Sequence, residues 1–176
     1  IDSYIKDINN IVEKIKSNKG QSNKIAITST TGVSAVLIGG KTLHSWAGIG
    51  LGDGDLVEKV RNNYTASKRW KLIKTLIIDE ISMLNPRLFE RLDKVAKAIR
   101  KSDKPFGGIQ LILVGDFCQL PVVKGNGTFC FDTKIWEECD FEIINLTTVI
   151  RQENYKFAKL LQDIRLGNIS KETKKL

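Results

Sequence analysis

Thr75-Leu-Ile-Ile-Asp-Glu-Ile-Ser-Met-Leu84 and Leu111-Ile-Leu-Val-Gly-Asp-Phe-Cys-Gln-Leu-Pro121 are two apolar runs that each deliver polar residues at the carboxyl end. A strand covered by helices on both faces reads as an unbroken apolar stretch rather than an alternating one. Leu76-Ile77-Ile78 and Leu111 to Val114 read that way, which predicts an α/β fold with a mainly parallel central sheet. Ligands of such sheets bind in the crevice outside the carboxyl ends of the strands, and Asp79, Glu80, Asp116 and Gln119 all fall at that edge. Two adjacent carboxylates there suit a metal-nucleotide site, with Asp79 holding Mg²⁺ through its water shell and Glu80 polarising an attacking water. Gln119 is then placed to sense a terminal phosphate. The plain alternative is that the acidic pair merely caps the next helix. The second strand ending in Gly115-Asp-Phe-Cys-Gln119 favours the catalytic reading.

The 176 residues amount to roughly one domain's worth of chain. No apolar run approaches the ~18 residues needed to cross a bilayer, and nothing resembles a signal peptide, so an intracellular protein is expected. The three cysteines, Cys118, Cys130 and Cys139, form no CxxC pair, which argues against a zinc site or a disulfide framework. They read as reduced thiols, packed rather than reactive. The formal net charge of +8 is concentrated in Asn85 to Lys104 and Lys156 to Leu176, each netting four positive charges. Such an excess fits a polyanionic partner, nucleic acid above all, and fits a solvated helix face equally well.

Outward from the two runs, Ser3 to Ser17 has helical spacing at Ile5, Ile8, Val12 and Ile15, and Ile25-Ala-Ile27 reads as a short buried strand. That strand enters Thr28-Ser-Thr-Thr-Gly32, whose hydroxyls and glycine suit phosphate contacts or a cap on a helix from Val33 to Ile38, broken by Gly39-Gly40. Lys41 to Gly52 reads as a glycine-rich loop carrying the sole histidine. In one reading this loop is surface, with His44 satisfying backbone groups. In the other it clamps nucleic acid, with Thr42 and His44 on phosphates. Trp46 is either a stacking face or, the better expectation, core. Leu56 to Val60 and Tyr64 to Ile73 read as helices, and Asn85-Pro86 opens a basic helix with Leu88, Leu92, Val95 and Ile99 on its apolar face. Phe141 to Leu146 reads as a further strand, and Tyr155 to Leu166 as a last helix stopped by Gly167.

The ordered segments Ala26-Ile-Thr-Ser-Thr-Thr-Gly32, Thr42-Leu-His-Ser-Trp-Ala-Gly-Ile-Gly-Leu-Gly52, Ile77-Ile-Asp-Glu-Ile-Ser-Met-Leu84, Pro105-Phe-Gly-Gly-Ile-Gln-Leu111, Gly115-Asp-Phe-Cys-Gln-Leu-Pro121 and Arg151-Gln152 resemble the Pif family of DNA helicases. These are superfamily-one motors that move 5′ to 3′ on single-stranded DNA. The resemblance covers nearly the whole chain. It implies a P-loop NTPase (RecA-like) three-layer fold, ATP and Mg²⁺ as cofactors, and single-stranded DNA and duplex junctions as partners. Carried over by position, it assigns Asp79 and Glu80 to the Walker B pair and Gln119 to the phosphate-sensing glutamine. Arg151 becomes the arginine that reaches the terminal phosphate from the hinge side, and Thr28, Thr30, Gly32, Thr42 and His44 fall in segments that touch DNA. Phe106 to Gly108 matches family sequence without a chemical role.

No Gly-x-x-x-x-Gly-Lys-Ser/Thr phosphate loop occurs in the sequence. The spacing to Ile25 places such a loop at or just before residue 1. The expected organisation is therefore a truncated RecA-like motor domain over residues 1–150, with its Walker A missing or upstream, and a hinge with the start of a second motor domain over 151–176. An isolated chain of that kind should show little ATPase or unwinding, since two motor domains must close on ATP. Two function classes follow. One is an ATP-dependent helicase that unwinds DNA in replication, repair, recombination or telomere maintenance, located in the nucleus or mitochondrion of a eukaryote and otherwise in the cytoplasm. The other is a degenerate, non-enzymatic single-stranded nucleic-acid-binding protein. An unrelated P-loop ATPase such as a clamp loader shares the Asp-Glu strand but not the Thr42-Leu-His-Ser45 segment.

Overall fold

The computed structural model describes residues 24–122, 127–148, 152 and 154–168. The helix expected over Ser3 to Ser17 and the residue Arg151 lie outside them. Four parallel strands form one sheet in the order β2-β1-β3-β4, with β1 at Ile25–Ser29, β2 at Lys41–Thr42, β3 at Thr75–Asp79 and β4 at Gln110–Leu113. Ser29 pairs with Thr42 on one side and Asp79 on the other, so three polar residues share a transverse row at the carboxyl edge. The chain runs from β1 outward to β2 and then back across to β3. That reversal is a topological switch point between β1 and β3, the place where an open α/β sheet forms its ligand crevice.

The strands bury one face more deeply than the other. Leu76 and Ile78 are fully buried, with Ala26 and Thr28 beside them, while Ile25, Ile27 and Ile77 on the opposite face are half-buried. Helices α1 (Gly32–Leu37), α2 (Leu43–Ala47), α3 (Leu56–Asn62), α4 (Tyr64–Leu72) and α5 (Pro86–Arg100) surround the sheet. Their start sites follow from capping chemistry. Thr31, Asp55, Asn63 and Asn85 each accept a first-turn amide, and Pro86 sits at the first helical position of α5, where no amide is needed. Of the face expected on α5, Leu92, Val95 and Ile99 are buried, together with Phe89 and Ala96, and Leu88 is partly buried. Trp46 is core: it packs on Trp70 at 4.8 Å between ring centroids, and the Trp70 indole donates to the Ala47 carbonyl at 3.0 Å.

Two expectations need correction. Lys41 to Gly52 is not simply a loop, because β2 and α2 occupy Lys41 to Ala47. Thr42 caps α2 by accepting the Ser45 amide at 3.3 Å, and Gly48 ends the helix in the left-handed conformation. Phe141 to Leu146 forms no strand; Ile143 and Leu146 are 82% and 74% exposed, and no neighbouring strand pairs with the segment among the described residues. Apolar, β-prone composition does not make a strand without a hydrogen-bonding partner. Short α6 (Lys134–Glu138) precedes that segment and α7 (Tyr155–Arg165) follows it, the latter without a buried residue.

Pro105 to Gly108, which had no assigned role, forms a tight turn docked on α5. The buried Asp93 carboxylate accepts the Phe106 amide at 2.7 Å and pairs with Lys97 at 2.8 Å. Arg100 donates to the carbonyls of Gly107, Trp70 and Ile73 at 2.7, 2.9 and 2.9 Å. The turn thereby fixes where β4 begins, and β4 carries Gly115 to Gln119 to the site.

Candidate functional site

At the switch point, the ends of β1 and β3 are laced together by polar groups. Thr30 donates its amide to the Asp79 carbonyl at 3.2 Å and its hydroxyl to the Glu80 carbonyl at 2.9 Å. From the first turn of α1, Ser34 Oγ donates to Asp79 Oδ2 at 2.6 Å. Glu80 has φ of 56°, a left-handed conformation uncommon outside glycine and held here by these neighbours. Such strain concentrates where a side chain must be presented in a fixed direction. On the far side, the Ile81 amide donates to the Val114 carbonyl at 3.0 Å. Gly115 backs onto that junction, since a Cβ built there would lie 2.9 Å from the Ile81 nitrogen. Only a residue without a side chain lets the two segments approach so closely.

Asp79, Glu80 and Thr30 are thus gathered in one place, Gly32 opens α1 nearby in sequence, and Ser34 joins them as a residue that sequence reasoning missed. A serine two positions beyond a Thr-Thr-Gly helix start was its only signal. Asp79 keeps Oδ1 without a hydrogen-bond partner among the described residues, and Ser34 fixes the rotamer of the carboxylate. That arrangement fits Mg²⁺, which keeps most of its waters and takes only one or two carboxylates. Gln119 lies on the turn that follows β4: its amide Nε2 donates to Asp116 Oδ2 at 3.2 Å rather than to either acid of the pair. Asp116 is also gripped by Arg165, whose guanidinium, together with the Cys118 and Gln119 hydrogen bonds, holds this carboxyl below its usual range despite partial burial.

The expected DNA-facing residues divide. Thr28 is fully buried and its hydroxyl donates to the Ile77 carbonyl at 2.7 Å, so it cannot reach a strand of DNA and acts as a tie between β1 and β3. Thr30 and His44 instead line one cleft of about 340 Å³ with Gly52, Arg87 and Arg91. Thr42 sits half-exposed beside it in sequence, its hydroxyl oxygen used as a helix cap. Burial lowers the pKa of His44, so at neutral pH the ring offers a hydrogen bond rather than a charge. Arg91 donates to the carbonyls of Gly52 and Gly54 and staples that loop to α5, while Arg87 is exposed on the rim. The basic excess of α5 is therefore partly structural: Arg91, Lys97 and Arg100 are engaged within the protein.

All three cysteines are free, but only Cys130 and Cys139 are packed as expected; Cys118 is exposed on the turn after β4. Burial pushes the Cys130 thiol up to about 12 and the Cys139 thiol up to about 11. Among the described residues no group of three or more His, Cys, Asp or Glu side chains is placed to hold a metal ion. Nor is any helix there long and apolar enough to cross a membrane.

Comparison with known proteins adds independent weight. The profile of the PIF1-like helicase family matches residues 3–175. Uncharacterized protein 030L of Invertebrate iridescent virus 6 is 54% identical over 166 residues, covering 86% of this chain and 31% of the relative. The ATP-dependent DNA helicase RRM3 of Saccharomyces cerevisiae is 44% identical over 168 residues, covering 91% and 23%. The crystal structure of Pif1 helicase from Candida albicans superposes with a TM-score of 0.86 at 40% identity, covering 94% of this chain and 39% of that one. The chain thus spans about a third or less of the length of these curated relatives.

Proposed function

Because the chain belongs to the PIF1-like helicase family and has an α/β RecA-like fold, we propose that the protein carrying it is an ATP-dependent DNA helicase. In this reading residues 1–150 belong to its first motor domain, and 151–176 to the hinge and the start of the second. The observation that carries this reading is the junction of β1 and β3, where Thr30 and Ser34 hold Asp79 and the strained Glu80 at the sheet's switch point. ATP and Mg²⁺ would be held there, with the ion neutralising phosphate charge and Asp79 receiving it through water. Glu80 takes the proton of the attacking water, Gln119 orients toward the terminal phosphate, and Arg151 approaches it from the hinge side. The exposed lack of buried residues along α7 supports its assignment beyond the hinge.

Single-stranded DNA and duplex junctions are the partners proposed, crossing the cleft lined by Thr30, His44 and Arg87, with Gly32 and Thr42 assigned to DNA by the family resemblance. Movement is 5′ to 3′ in this reading, and the work is replication, repair, recombination or telomere maintenance inside the cell, in nucleus or mitochondrion where the source is a eukaryote.

The test is phosphate release by the intact protein with and without single-stranded DNA, repeated for Glu80→Gln. DNA-stimulated hydrolysis that disappears in Glu80→Gln, with ATP still bound, is the expected result. Turnover retained by Glu80→Gln would remove Glu80 as the base. DNA binding with no turnover in the unmodified protein would establish the non-enzymatic alternative.

A further inference from the structure

Helix α7 buries none of its residues, yet it is tied to the sheet edge at one point. Arg165 Nε lies 2.7 Å from Asp116 Oδ2 and Nη2 lies 2.9 Å from Oδ1, a two-pronged pair across 49 residues of sequence. The same two oxygens have other work. Oδ1 accepts the Cys118 amide at 3.0 Å, and Oδ2 accepts the Gln119 side-chain amide at 3.2 Å. Asp116 is a hub whose two oxygens each accept two hydrogen bonds, and Arg165 and Gln119 share Oδ2.

We propose that Arg165 is a positioning residue that couples the placement of α7 to the orientation of the Gln119 amide through Asp116. The inference rests on the helicase reading only for its consequence in turnover. A planar guanidinium grips a carboxylate with both prongs only when the groups are coplanar, so the pair is sensitive to small displacements of the helix. While Arg165 is engaged, it neutralises Asp116 and takes the shorter bond to Oδ2, 2.7 Å against the 3.2 Å of the Gln119 amide that shares this oxygen. When α7 moves, Oδ2 loses its cation and holds the amide it already accepts more tightly, which keeps Nε2 from a phosphate. Bistable contacts of this kind convert a domain movement into a change at a distant site. The lowered pKa of Asp116, caused first by Arg165, keeps the carboxylate ionised for this role. Arg165 is itself exposed to solvent and α7 buries no residue, so the coupling can be removed without unfolding the domain.

The experiment compares Arg165→Ala and Arg165→Lys in the intact protein by two readouts. The first is the side-chain amide of Gln119 observed after selective ¹⁵N-glutamine labelling and identified by its loss in Gln119→Leu. A shifted amide in Arg165→Ala that returns part-way in Arg165→Lys is expected; an amide unmoved in Arg165→Ala overturns the proposal. The second is DNA-stimulated ATP turnover, where Arg165→Ala is expected to lower kcat by about tenfold with KM for ATP changed by less than about twofold. Unchanged kcat, or kcat and KM shifting together with a lowered melting temperature, overturns it. If the unmodified protein hydrolyses no ATP, the helicase reading falls and the amide alone decides the coupling.

Discussion

Ser34 Oγ donates to Asp79 Oδ2 at 2.6 Å, joining the first turn of α1 to the carboxyl end of β3 across the crevice of the sheet. The hydroxyl leaves the other carboxylate oxygen facing the site and prevents rotation about the side chain. A group that orients a metal-binding carboxylate without touching the metal affects affinity for the ion more than it affects folding.

Ser34→Ala is therefore expected to raise the Mg²⁺ concentration for half-maximal ATPase by about tenfold. Its cost in unfolding free energy should be only about 1 kcal/mol, that of one hydrogen bond. A magnesium titration of turnover beside thermal melting checks both. An unchanged magnesium requirement would mean that Asp79 does not receive the ion.

His44 supplies a pH dependence whose sign can be worked out. Burial holds its pKa below the usual 6.5, so the unfolded chain takes up a proton before the folded one does. Its contribution to stability is present above about pH 6.5 and declines as pH falls below that value, where the unfolded state binds the extra proton. A phosphate in the cleft reverses the preference by favouring the imidazolium. Affinity for single-stranded DNA should rise between about pH 7 and pH 5.5 as the ring charges, and His44→Gln should flatten the curve. His44 is the only histidine of the sequence, so no other imidazole of this chain contributes. Fluorescence anisotropy with a labelled oligonucleotide across that range is the check, and an identical slope in His44→Gln would remove His44 from the interface.

Much of this geometry is written locally in the chain, and the rest is not. β1, β3, β4 and the buried face of α5 follow from apolar runs and helical spacing, with Asn85-Pro86 marking the start of the helix. Helix α2 escaped because five residues make too few turns for a period to emerge between glycines. Thr28 and Thr30 fall in one motif, and as residues i and i+2 they would share a face if the strand continued; β1 ends at Ser29, so Thr30 leaves the strand and lines the cleft while Thr28 stays buried, a boundary the segment alone does not mark. Charge counts on α5 and α7 could not reveal that Arg91, Arg100 and Arg165 already have protein partners, since those partners are distant in sequence. Phe141 to Leu146 has strand composition without a strand to pair with among the described residues, a property of the sheet and not of the segment.

The thiols should react in a fixed order. Burial pushes Cys130 up to about 12 and Cys139 up to about 11, so neither forms thiolate readily, while Cys118 is exposed. Alkylation at about pH 8 followed by mass spectrometry should mark Cys118 first and reach Cys130 only on denaturation. Early labelling of Cys130 would show that the packing of the 130–132 turn opens in solution.

The turn at Phe106 and Gly107 depends on two features that separate substitutions should expose. Asp93 is buried and serves both the Phe106 amide and the Lys97 ammonium, so Asp93→Ala leaves the amide without its acceptor and Lys97 with only the more distant Glu138 at 3.8 Å. A loss of about 2–3 kcal/mol is expected, with less for Asp93→Asn, which retains an oxygen for the Phe106 amide. Gly107 has φ of 60°, and a Cβ there would lie 2.8 Å from the Ala96 carbonyl oxygen and from Arg100 Cδ. The arginine end can yield; the helix backbone cannot. Gly107→Ala should therefore cost about 1–3 kcal/mol from the left-handed backbone and the clash together. Because Arg100 holds the Gly107 carbonyl, the Asp93→Ala and Gly107→Ala losses should fall short of additive when combined, each having already loosened the same turn. Denaturant unfolding of the two single variants and the double variant measures this. Strict additivity would mean that Asp93 stabilises α5 alone and does not hold the turn that launches β4.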